Sequence, residues 1–129
     1  MEKQGVVSLW LGSTKSNGFL VDYINLKYTD NDECITSEFF NDFDIDIDDI
    51  DEDFIEKVRY EMASKDLDFL LDGCSYEENV IPNIKKIIRG IENEINTVIL
   101  LYNFKYSGIK TGINNDDYSM TYIGTVAYI

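Results

Sequence analysis

The chain has 129 residues, of which 44% are hydrophobic and 13% aromatic, so it reads as one folded domain rather than a disordered acidic tail. Eleven Lys and Arg against 25 Asp and Glu leave a net charge of -14, which argues against nucleic acid and anionic membranes as partners and favours a basic protein. Histidine is absent, which removes the commonest general base and the commonest transition-metal ligand.

In chain order, Gly5 to Leu11 predicts a first strand, with Val7, Leu9 and Leu11 alternating against Val6, Ser8 and Trp10. Ser16 is placed to N-cap a short helix carrying Phe19, Leu20, Tyr23 and Ile24 on one face. A polar loop with Asp30, Asn31 and Asp32 follows, then a second short helix, capped by Thr36 or Ser37, that presents Phe39, Phe40 and Phe43. The next segment, with Ile45 and Ile47 alternating against aspartates, predicts a loop or weak strand, and Phe54 to Tyr60 a further strand. Ser64 is placed to cap a helix holding Leu67, Leu70 and Leu71. Ser75 and Glu78 have capping-box spacing, yet Pro82 lies too deep for a helix begun there, so the expected helix runs from Ile81 or Pro82 to Ile91. Its inward face carries Ile84, Ile87, Ile88 and Ile91.

Thr97 to Tyr106 is apolar on both faces and predicts a central strand. Tyr118 to Tyr128 is the other strong strand, and the Gly- and Asn-rich loop between them suggests an antiparallel hairpin. The expected architecture is α+β: a mainly antiparallel sheet with a C-terminal β-hairpin, covered by helices on one face. The longest apolar run, Val98 to Tyr102, falls far short of the ~20 residues of a membrane span, and the first residues have no signal-peptide apolar core. Cys34 and Cys74 are accordingly expected to be reduced thiols in a cytoplasmic protein.

One stretch dominates the charge. From Tyr28 to Glu56 there are thirteen acids and no Lys or Arg, and Asp42 to Asp53 holds eight acids in twelve positions. Such self-repulsion costs stability and invites a compensating role. Asp42, Asp44, Asp46, Asp48, Asp49, Asp51, Glu52 and Asp53 form a candidate surface for a basic partner; the other reading is a solvated tract that serves solubility. Ile45, Ile47 and Ile50 interleave with the acids and predict that one edge is tied to the core. A calcium loop is a third reading. Asp44, Asp46 and Asp48 match its first ligand positions, but Asp49 stands where glycine is needed and Ile55 where glutamate is needed. Trp10 is either a core anchor or an exposed interface hot spot.

Paired carboxylates occur in glycosidases and metal-dependent nucleases. Here no Gly-rich phosphate loop or basic groove accompanies them, so neither catalytic residues nor a cofactor is assigned. VVSLWLGS (Val6–Ser13), SEFFNDFDID, LLDGCSY (Leu70–Tyr76) and NTVILLYNFKY (Asn96–Tyr106), in this order and spacing, resemble the immunity protein 22 family. The resemblance implies a cytoplasmic, non-enzymatic protein that binds and neutralises a co-encoded toxin. The alternative is an acidic protein-interaction or cation-binding module without a toxin.

Overall fold

The computed structural model describes residues 2–31 and 33–129, so the Asp32 part of the polar loop lies outside the described residues. The first strand, β1 (Glu2–Ser13), is longer than expected and sits in the middle of the main sheet. There follow α1 (Asn17–Ile24), the short strands β2 (Lys27–Tyr28) and β3 (Cys34–Ile35), and α2 (Glu38–Asp42). Two 3-10 turns, Ile47–Asp49 and Glu52–Phe54, lead into β4 (Ile55–Ser64). The chain then forms α3 (Leu67–Leu70), α4 (Glu77–Ile87), β5 (Ile95–Phe104), β6 (Gly112–Asn114) and β7 (Ser119–Ala127).

Five strands make an antiparallel sheet in the order β4-β5-β1-β7-β6, while β2 and β3 form a separate ribbon. The α+β class holds, and the C-terminal hairpin is the β6–β7 pair. The two long C-terminal strands are not neighbours, however: β1 lies between them, pairing Leu9 with Leu100 on one side and with Gly124 on the other. The reason is in β1 itself. Its two faces are both buried, so it needs a neighbour on each edge and cover on each face.

The same property corrects the expectation that helices cover one face. On one side Val7, Leu9, Leu11, Val98, Leu100 and Tyr102 pack under α3 and α4 through Leu67, Leu70, Val80 and Ile84. On the other, Trp10, Ile99, Leu101 and Phe104 pack under α1 and α2 through Leu20, Tyr23, Ile24, Phe39, Phe40 and Phe43. Two apolar faces require two helical layers.

Local signals fare unevenly. Ser16 caps α1 as expected, its Oγ accepting from the Phe19 N–H at 3.0 Å. Ser37 stands at the N-cap of α2 but donates to the Ile24 carbonyl at 3.0 Å instead, tying α2 to the end of α1. Asp66, not Ser64, caps α3. Helix α4 begins at Glu77 and contains Pro82. The hydrogen bond Pro82 forfeits would fall on the carbonyl of Glu78, an exposed residue in the first turn, where the loss costs less than in a buried helix interior. The helix ends at Ile87, which is exposed, whereas Ile88 and Ile91 still pack against the first core.

Candidate partner-binding surface

The acidic tract is neither a loop without order nor a strand. It is two consecutive five-residue units, Asp46-Ile47-Asp48-Asp49-Ile50 and Asp51-Glu52-Asp53-Phe54-Ile55, built alike. In the first, the Asp46 carboxylate accepts from the Asp48 N–H at 2.9 Å and the Asp49 N–H bonds the Asp46 carbonyl at 3.0 Å. In the second, Asp51 accepts from the Asp53 N–H at 3.0 Å and the Phe54 N–H bonds the Asp51 carbonyl at 2.9 Å. A short carboxylate that captures the N–H two residues on is the favoured way for aspartate to organise a turn. The isoleucines anchor these turns as expected: Ile45 is buried, and Ile47, Ile50 and Ile55 pack partly buried against the second core. The Tyr28 hydroxyl donates to Glu52, bringing the β2–β3 ribbon against the tract.

The eight acids therefore divide by role. Asp46 and Asp51 are turned onto their own backbone, and Glu52 holds Tyr28. Asp44, Asp48 and Asp53 are exposed, with no side-chain hydrogen bond or ion pair to a described residue. Asp44 adopts the left-handed conformation (φ 53°), which aspartate tolerates better than most residues. It turns the chain out of α2 into the tract. Asp49 is half-buried beside them.

Of the expected contact residues, Asp42 also has a structural role and Trp10 is corrected. Asp42 is half-buried, and one oxygen, Oδ2, accepts from the Tyr23 hydroxyl at 2.8 Å and the Tyr118 hydroxyl at 2.6 Å. It clamps α2 to α1 and to Tyr118, the residue that leads into β7. Burial, followed by the hydrogen bond to Asp42 and then the Asp42 charge, pushes the Tyr23 and Tyr118 hydroxyls well above the usual tyrosine range. Trp10 has no exposed surface: it sits edge-on to Phe39, Phe43 and Tyr106 at 5.1–5.7 Å between ring centroids. Its indole Nε1 is buried without a hydrogen-bond partner among the described residues. A residue so enclosed is a core anchor and cannot meet a partner in the folded chain. Alternation along β1 could not decide this, because it did not reveal a helical layer on that face.

Sequence reasoning did not single out Glu56. Its Oε1 accepts from the Ser75 N–H at 3.0 Å, and its other oxygen accepts from the Ser75 hydroxyl. No described Lys or Arg lies within ion-pair distance of it. The only signal was its position as the last acid of the run.

Cys74 is a free thiol, half-buried, its pKa pushed up to about 11 chiefly by burial, so it stays neutral and unreactive near pH 7. The side chain of Cys34 lies outside what is described. Among the described residues no helix is long and apolar enough to cross a membrane.

The family model named Immunity protein 22 matches residues 7–128, nearly the full sheet-and-helix unit described above, and the chain belongs to that family. No curated protein and no solved structure matches the chain. The family name supports a role in toxin immunity.

Proposed function

We propose that the chain is a non-enzymatic immunity protein that occludes a co-encoded toxin domain of basic, nuclease-like character in the cytoplasm. The acidic tract meets the toxin's cationic cleft and places carboxylates where phosphates would lie. The observation that carries this reading is the set of exposed carboxylates, Asp48 and Asp53 on two ordered turns and Asp44 on the bend that leads into them, in a stretch with no Lys or Arg from Tyr28 to Glu56. Their potential is not neutralised locally, and the turns present them without a large ordering cost on binding. For the cation-binding alternative, no group of three or more His, Cys, Asp or Glu among the described residues is placed to hold a metal.

Co-expression with the toxin domain encoded beside this gene tests the proposal. Growth is rescued, a one-to-one complex burying on the order of 1,600 Å² forms, and toxin recovered from it by denaturation and refolding is unaltered in mass and active. Absence of both rescue and complex refutes the immunity reading; a covalent change in the toxin refutes occlusion.

A further inference from the structure

A groove of about 370 Å³ opens between β4 and the turn that joins α3 to α4. Its floor is apolar: Val58, Leu70, Val98, Leu100 and the neutral thiol of Cys74. Its rim carries Glu56 and Asp72. Lys57 also borders it, but Lys57 pairs with Ile99 of the opposite core, so strand alternation turns its side chain to the other face of the sheet. Glu56 and Val58 pair with Leu100 and Val98, on the groove side.

Glu56 is the unusual element. Its carboxylate is half-buried and fixed by both the N–H and the hydroxyl of Ser75. The Tyr102 hydroxyl, donating to the Ser75 carbonyl at 2.6 Å, lies 3.4 Å from the same carboxylate. A preorganised anion without a described cation, above an apolar floor, suits a long side chain with an apolar stem and a cationic head.

The adjoining backbone is open as well. β4 is the edge of the sheet. Beyond Ile55, whose N–H closes the preceding turn, its outer side through Arg59 makes no backbone hydrogen bond to a described residue. Past Arg59 the strand bulges, four residues (Tyr60–Ala63) standing opposite Asn96 alone, which spoils pairing there. The regular open edge is thus short and lies directly beside the groove.

Resting on the reading of the chain as an immunity protein for a basic toxin, we propose that an extended segment of the toxin adds to the Ile55–Arg59 edge and inserts an arginine or lysine into this groove, its head on Glu56. Main-chain bonds along an edge supply affinity and a pocket for an alternate side chain supplies specificity. The acidic tract steers the encounter, and the groove fixes the register.

The probe is the peptide Ac-Thr-Val-Arg-Val-Thr-NH2, with a citrulline analogue that keeps shape but lacks charge, titrated into 15N-labelled protein. The arginine peptide shifts amides of Ile55–Arg59 and Asp72–Ser75 with a dissociation constant of about 1 mM or below, and the citrulline peptide binds about tenfold more weakly. Glu56→Gln, which can keep both Ser75 contacts, erases that difference. Val58→Lys, at a half-exposed position, abolishes binding of both peptides while leaving the melting temperature unchanged. No shifts up to about 10 mM, equal binding of the two peptides, or indifference to Glu56→Gln overturns the proposal. Against the neighbouring toxin domain, both variants weaken binding by about tenfold or more. A complex insensitive to both variants overturns the groove and leaves the immunity reading standing. Failure of the wild-type chain to bind the toxin overturns the immunity reading, while the peptide still decides the groove.

Discussion

Asp42 is the acid whose role the fold changes most, and its replacement separates structure from contact. Asp42→Ala removes one oxygen that accepts from both Tyr23 and Tyr118. A hydrogen bond to a charged group contributes about 1.5–3 kcal/mol net. Tyr118 retains a longer bond to Glu38 at 3.3 Å, but the Tyr23 hydroxyl, on a residue only 1% exposed, loses its carboxylate acceptor. The expected loss is about 3–4 kcal/mol, a fall in melting temperature of about 11–15 °C for a chain of this size. Asp42→Asn keeps an acceptor where both phenols converge and loses only the charge, so it costs about 1 kcal/mol. Urea unfolding followed by Trp10 fluorescence measures both, since Trp10 is fully enclosed when folded. Within the pair Tyr23→Phe and Asp42→Ala, the double variant is less destabilised than the sum of the singles. If Asp42→Ala stays within about 0.5 kcal/mol of wild type yet slows toxin association, the clamp is wrong and Asp42 belongs to the contact surface.

Two further outcomes follow from buried groups and close approaches. Burial, and secondarily neighbouring acidic groups, raise the pKa of Tyr23, Tyr102 and Tyr118 in the folded chain; unfolded tyrosines titrate near pH ~10. Their contribution is therefore complete below that pH and is lost as pH rises, by about 1.4 kcal/mol per tyrosine and pH unit, or about 4 kcal/mol by pH ~11. Cys74 adds a loss that begins lower, between its ordinary 9.0 and about 11. In an alkaline titration the share of phenolate absorbance that belongs to these three buried tyrosines should appear together with unfolding; the full absorbance of all nine tyrosines forming in a chain that stays folded would contradict the buried network. Gly12 and Gly124 differ in tolerance: a Cβ at Gly12 meets the Ser119 carbonyl oxygen at 2.1 Å, whereas at Gly124 it meets the movable tip of Ile87 at 2.4 Å. Gly12→Ala should cost about 3 kcal/mol or more and Gly124→Ala about 1 kcal/mol or less by urea unfolding; equal costs would contradict the β1–β7 packing.

The legible parts of the fold were those with local causes. Alternation revealed β1, a run apolar on both faces revealed β5, the strong strand after the Gly- and Asn-rich loop became β7, and Ser16 marked the start of α1. Strand order was hidden because it depends on pairings far apart in sequence, β1 with β5 and β7 above all. The tract was readable in part. Its charge and its isoleucine anchors were evident, but Asp-Ile alternation imitates a strand while Asp46 and Asp51 are making turns. The structural roles of Asp42 and Trp10 were hidden because their partners are remote: Tyr118 lies 76 residues beyond Asp42, and the rings around Trp10 come from α2, the residue that ends it and the segment just after β5. Glu56 acquires its fixed geometry only when Ser75 folds back against β4.

The most direct test of the account is the association rate of the neighbouring toxin domain with wild type and with Asp44→Asn/Asp48→Asn/Asp53→Asn, measured against salt. These three positions are chosen because neither turn depends on their carboxylates, unlike Asp46 and Asp51. A unit charge pair ~10 Å apart in water is worth about 0.4 kcal/mol before screening. With Debye lengths of about 30 Å at 0.01 M and about 8 Å at 0.15 M, three such pairs give about 0.9 and about 0.4 kcal/mol. The variant should therefore associate about fivefold more slowly at the lower salt and about twofold at the higher, with an unchanged fold. Equal rates for a folded variant at 0.01 M salt would contradict a docking role for the tract and reduce it to solvation.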